Sequence, residues 1–433
     1  MDEGITEADA AESAEDKTDT DVNIRYVVAS LVAGVFFGGL GGGVAYPTLP
    51  NLGPILGISP FLVGIILAAN GFVRLLANTP AGQIIDVMGS RRPMIAGFLI
   101  QGTAPFGYVL ALHSDLIPLL NSADIFLLAR AMWGLGSAFV FVGAFSTITH
   151  VTTRDNRGKW IGYMRGGQAL GFPTGAVVGG VVTDLFGYDA AFLIAGILGL
   201  FAAVVAIAVL PNVKAEVSTS TGLREIPRVV AQDPRILSIG GVNFVVRFVY
   251  VAILSTIVVF AGNHGIQIGS FSSVGVSGAI MAVSVLAMSV TTLITGRYSD
   301  QLSSRGLVTL PALVSLGLGL IIVGLFPTLY TTLLGMAMVG VGVGGTSPPL
   351  LALLGDISPN DQVGKLGGVY NVFGDLGATL GPVVAFPVGA AIGYDLSYLL
   401  ATTLVLVAGA SVVLTLLGGD TEIEEKDRFA GAK

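Results

Sequence analysis

Twelve apolar stretches of membrane-spanning length follow one another along the chain, and this constrains its fold more than anything else in the sequence. A helix needs about 20 mostly apolar residues to cross the hydrocarbon core. Such runs lie at 24–46, 60–83, 93–112, 123–149, 158–183, 190–211, 236–261, 271–296, 307–327, 330–354, 364–391 and 394–418. Lipid offers no partner to an open N–H or C=O, so runs of this length fold as helices. The expected fold class is all-α, a polytopic membrane protein with 12 transmembrane helices. Only 11% of residues are charged, against about 25% in a soluble domain. The 61 glycines follow no triplet period and lie inside the apolar runs. This excludes a collagen-like fibre, a disordered chain and an ordinary soluble enzyme, and it suits helices that approach closely in lipid.

The polar remainder divides the chain. Residues 1–23 carry nine acids and one lysine, too acidic for a signal peptide, and read as a disordered cytosolic tail. A six-run unit at 24–211 is followed by a polar linker at 212–235, a second six-run unit at 236–418 and a cytosolic tail at 419–433. Lysine and arginine are retained on the cytosolic side. Of 21 such residues, Arg74, Arg130, Arg165 and Arg247 fall deep inside runs, and the other 17 all fall in cytosolic segments or at the cytosolic ends of runs if the N-terminus is inside. The expectation is a multi-pass protein of the cytoplasmic membrane with both termini cytosolic. Arginine outnumbers lysine 15 to 6, which with the acidic ends fits a high-salt cytosol.

The two units repeat. Phe186-Gly187-Tyr188-Asp189 matches Ile392-Gly393-Tyr394-Asp395 at an offset of 206, and the same offset pairs Gly171 with Gly377, Gly175 with Gly381, Gly134 with Gly340 and Gly136 with Gly342. Upstream, Gly82 to Asp86 aligns with Gly296 to Asp300 at 214. A duplicated six-helix unit with one insertion explains both offsets, and two such bundles around a central cavity are an alternating-access architecture.

Three motifs give the repeat a family likeness. Gly82-Gln-Ile-Ile-Asp86-Val-Met-Gly89-Ser-Arg91-Arg92 lies between runs two and three, Arg130-Ala-Met-Trp133-Gly134-Leu-Gly136 in run four, and Gly171-Phe-Pro173-Thr-Gly175-Ala-Val-Val-Gly179-Gly180 in run five. Over residues 24–418 the chain resembles the major facilitator superfamily, and within it the drug:proton antiporter-like branch. Ala176 stands where that branch has proline, whereas Gly381-Pro382 in run eleven keeps it. On physical grounds Asp86 closes a helix, Gly89 allows a tight turn, and the carboxylate can meet the positive end of a helix in the other unit, with Arg91 and Arg92 as local partners. Gly82, Asp86, Gly89, Arg91, Arg92, Gly296 and Asp300 thus form a candidate cytosolic gate. Gly167, Gly171, Gly175 and Gly179 make an i,i+4 stripe suited to close helix packing, and Pro173, Gly377, Gly381 and Pro382 belong to the same motif pair. The resemblance implies that this stripe seals the interface between halves.

Charges inside the membrane need a partner or a wet cavity. At about 1.5 Å of rise per residue, Arg74, Arg247 and Asp375 all lie roughly 16–18 Å from the inner end, near the midplane. Arg130 falls in the outer half of run four and Arg165 in the inner third of run five. None has a charged counterpart in the other unit. Where the halves share residues they share scaffold; where they differ, function is expected. Arg74, Arg130, Arg165, Arg247 and Asp375 are therefore the candidate substrate and proton-coupling residues.

The expected function is secondary transport of a small molecule by alternating access, proton-coupled efflux with Asp375 carrying the proton. The alternative is an anionic substrate, an organic acid or phosphate ester, held by the arginines, whose fork grips such groups bidentately. A non-transporting membrane sensor would show an added domain or a degraded gate. Enzymatic activity is not expected, since no His/Glu cluster or Ser/Lys pair shares a depth. There is no cysteine, and His113, His150 and His264 are far apart, so no metal or cofactor is expected. The Gly38–Gly43 run follows no strand, and no phosphate-cradling Gly-x-x-x-x-Gly-Lys loop occurs, which argues against nucleotide binding, and nothing suggests nucleic acid. A monomer in the bilayer is expected.

Overall fold

Each apolar run forms a helix in the computed structural model, which describes residues 24–116, 119–152, 154–210, 234–299, 306–357 and 363–417. The helices are α1 (Ile24–Ala45), α2 (Pro60–Met88), α3 (Arg91–Leu112) and α4 (Ser122–Val151). Arg154–Val209 is helical throughout except at Gly187, whose φ of 83° and ψ of 174° break it into α5 (154–186) and α6 (188–209). The second half holds α7 (Pro234–Asn263), α8 (Ser273–Ser299), α9 (Gly306–Leu325), α10 (Leu329–Asp356), α11 (Val363–Ile392) and α12 (Tyr394–Ser411). The expected tails and most of the linker, and Asp300 of the gate, lie outside the described residues.

Eleven stretches among the described residues are long and apolar enough to cross a membrane, and one, Lys159–Val209, has 51 residues. At 1.5 Å per residue that is about 75 Å of helix, over twice the ~30 Å hydrocarbon core, so it makes two crossings and the total is twelve. The sequence allots a six-residue break, 184–189, to this reversal; the structure makes it with Gly187 alone. Gly393 does the same between α11 and α12 with φ 88°, 206 residues later. Only glycine takes this backbone conformation without strain.

The repeat is visible in the packing. A Cβ on Gly134 would lie within 3.0 Å of the Asn70 carbonyl oxygen, and one on Gly340 equally close to that of Ser284. These pairs differ by the two offsets seen in the sequence. The stripe on α5 works the same way: Gly167, Gly171, Gly175 and Gly179 lie against the carbonyl oxygens of Val32, Phe36, Leu40 and Val44 on α1, each too close for a side chain. In the second half Gly377 and Gly381 lie against Phe244 and Phe248 on α7. Two pseudo-symmetric six-helix bundles result.

The bundles meet through α2 with α11 and α5 with α8. Gly64 approaches Pro382, Gly71 approaches Thr379, Gly180 approaches Gly275, and Gly278 approaches Ala176. All these contacts lie toward the end where α2 and α8 begin, here the far end. Toward the other end, the loop end that carries Gly89, the inner faces open, and Arg165, Gln168 and Asn371 are exposed.

Candidate functional site

A cavity of about 260 Å³ lies between the bundles, mostly within the first. The glycines of α1 leave its wall bare, Trp133 and Phe172 give it aromatic surface, and Arg74, Arg130 and Gln101 give it polarity. Asp375 stands at its edge: Arg74 Nη2 donates to Asp375 Oδ1 at 3.2 Å, joining α2 of one bundle to α11 of the other. The two side chains are 31% and 28% exposed, so the pair is in reach of cavity water. One residue earlier on α11, about 100° around the helix, Gly374 faces Arg247 and Asn243 on α7. Arg247 is half-buried, its stem against Gly374, and is not among the residues that line this cavity.

Arg130 is 3% exposed. Its Nη2 donates to the Leu67 carbonyl at 3.2 Å, while Nε makes no hydrogen bond among the described residues. Gln101, 4% exposed, and Asn70 likewise leave their side-chain oxygens without a partner there. A buried polar group left unmade costs about 1–3 kcal/mol, so three beside one cavity describe a surface built for a ligand or for water. Gln101 was missed; an amide at the ninth position of an apolar run was the available signal. Arg165 is exposed on α5 toward the loop end.

At the loop end Gly89 closes α2 with φ 78°, its N–H reaching Ile85 O. Arg91 donates to the Ile207 carbonyl at 2.9 Å, placing a cation at the negative end of α6. Asp86 and Arg92 are exposed and Gly82 is buried; Gly296 on α8 lies near Pro348 of α10. The α5 glycine stripe packs on α1 within its own bundle, Pro173 sits inside α5, and Pro382 inside α11 faces Gly64 of the other bundle. Among the residues of α5 that meet the second bundle are Ala176, Val177 and Gly180. Beyond them Asp184 accepts the Ser272 N–H at 2.7 Å and the Ser272 hydroxyl, just before α8. Asp184 was not singled out from the sequence, where it is one of several acids near helix ends.

Comparison with known proteins agrees with this architecture. A family model described as Major Facilitator Superfamily matches residues 31–382 and 241–432. The chain is 23% identical over 360 residues to multidrug resistance protein 2 of Bacillus subtilis, covering 82% of this chain and 86% of that protein. It is 25% identical over 339 residues to the human chromaffin granule amine transporter, covering 77% and 61% respectively. Among solved structures, a bacterial homologue of the human lysosomal transporter Spinster, inward-facing and unoccupied, superposes with a TM-score of 0.72 at 15% identity over 92% of this chain and 99% of that one. The human organic anion transporter gives 0.62 at 18% identity, covering 90% of this chain and 99% of that one. With its twelve helices in two repeated bundles about a polar cavity, this multi-pass membrane protein belongs to the Major Facilitator Superfamily.

Proposed function

We propose that the chain exports a small organic molecule across the cytoplasmic membrane in exchange for protons, with the loop end cytosolic and the Arg74–Asp375 pair as the coupling element. The observation that carries this reading is that pair: one bundle supplies the cation, the other the carboxylate, at the edge of the cavity. A substrate that occupies Asp375 competes with a proton for the same oxygens, so binding one releases the other. Because the pair bridges the bundles, its making and breaking bears directly on their rocking. The names of two relatives, a multidrug resistance protein and an amine transporter, support a substrate of this kind. Asp86 and Asp300 would close the cytosolic side in the opposite state, and the protein would act as a monomer.

A second reading rests on the charges. Among the described residues, the ionisable side chains lining the cavity are Arg74, Arg130 and Tyr46, with no carboxylate among them. An organic anion suits that lining, and by taking Arg74 it would leave Asp375 to gain a proton. The two readings therefore differ in sign: a cation displaces protons on binding, an anion brings them in. Proteoliposomes under an imposed pH gradient, screened with organic cations, neutral compounds and organic anions, test the proposal. Gradient-driven movement of at least one class is expected, and movement of none would overturn it. For the compound found, the direction of pH change on mixing it with protein in weak buffer selects the reading.

A further inference from the structure

A groove of about 620 Å³ runs between α1 and α5 of the first bundle at the loop end, with Tyr163 and Leu170 exposed along it. Val32 and Phe36 line it from α1, Tyr163 and Leu170 from α5. Its depth comes from Gly162 and Gly166, which also line it and where a Cβ would meet nothing within 4 Å. Gly167, one residue on, is glycine because Val32 crowds it; no such crowding explains 162 and 166. Glycine is unfavourable inside a helix, so two uncrowded ones on one face keep a concavity open.

The groove has a charged mouth. Arg25 and Trp160 line its end, and the Lys159 ammonium lies 5.7 Å from the Trp160 ring centroid and 6.0 Å from that of Tyr163. Aromatic rings of this kind sit at the headgroup level of a bilayer, and basic pockets between helices on the cytoplasmic side take anionic lipid headgroups. We infer that this groove binds one anionic phospholipid, its phosphodiester at Lys159 and Arg25 and an acyl chain along the α1–α5 seam. The acidic stretch 1–23 matches the charges but has no apolar run to fill an apolar groove. A zwitterionic lipid fits the seam but gains less from the two cations.

The test uses the full chain, purified in neutral detergent and offered phosphatidylglycerol or phosphatidylcholine, with retained lipid counted by native mass spectrometry. Wild-type protein retains one phosphatidylglycerol in preference to phosphatidylcholine. Lys159→Gln lowers that preference about fivefold, the worth of one basic group near an anionic headgroup. Gly166→Leu favours the helix while filling the groove, and abolishes retention of that lipid. Arg297→Gln removes an exposed cation at the same end, outside the groove, and leaves the preference intact. Retention by Gly166→Leu equal to wild type, or an equal loss in Arg297→Gln and Lys159→Gln, overturns the assignment.

Discussion

The carboxylate of Asp184 on α5 accepts the backbone N–H of Ser272 at 2.7 Å and its hydroxyl, so a side chain of the first bundle caps a helix of the second. The Ser272 hydroxyl in turn accepts the Val274 N–H at 3.1 Å. Gly275 allows the approach, since a Cβ there would collide with the carboxylate. A carboxylate at the positive end of a helix is favourable, and this contact exists only while the far end is closed. It does for the far end what Asp86 is proposed to do for the loop end.

Asp184→Ala is therefore expected to shift the population toward far-end opening by about tenfold or more, since even one of its two charged hydrogen bonds is worth about 1.5 kcal/mol. The chain has no cysteine, so a single one introduced at Ala378, which lines the cavity, reports access cleanly. A membrane-impermeant thiol reagent applied from the far side should label the Asp184→Ala variant faster. An unchanged labelling rate would count against the latch.

The glycine stripe sets a second expectation. Gly175→Ala and its repeat partner Gly381→Ala drive a methyl into a carbonyl of the neighbouring helix, an overpacking worth about 1–3 kcal/mol. Thermal unfolding in detergent should fall for both. Gly162→Ala, with open space around it, should hold or rise, by up to about 1 kcal/mol from helix propensity. Equal effects at all three positions would mean that the α1–α5 and α7–α11 seams are not held by close approach.

Arg130 is the cavity's most buried charge, tied to the Leu67 carbonyl. Arg130→Lys keeps the charge but loses the fork that serves Leu67 and the cavity together. Substrate binding should weaken tenfold or more while the melting temperature moves little. A large drop in melting temperature with affinity preserved would make Arg130 a structural tie.

The helices were legible because nothing but a helix can bury so long an apolar run in lipid, and the repeat because the same glycines serve the same seams in both halves. Gly134 and Gly340 were aligned before their carbonyl partners were known. What the sequence hid is angular. Counting rise puts Arg74, Arg247 and Asp375 at one depth, yet adjacent residues of α11 face different helices, so Asp375 meets Arg74 while Gly374 meets Arg247. Depth alone could not separate the three for that reason. Asp184 was invisible for another: its partner is a backbone N–H, which leaves no mark in composition.

The coupling role of Asp375 is tested most directly by Asp375→Asn in proteoliposomes, assayed in parallel for pH-gradient-driven transport and for passive exchange of labelled against unlabelled substrate. The account predicts that gradient-driven transport is lost while exchange persists, because the amide keeps the shape and a hydrogen-bond acceptor for Arg74 but cannot carry a proton. Full gradient-driven transport by Asp375→Asn would contradict it.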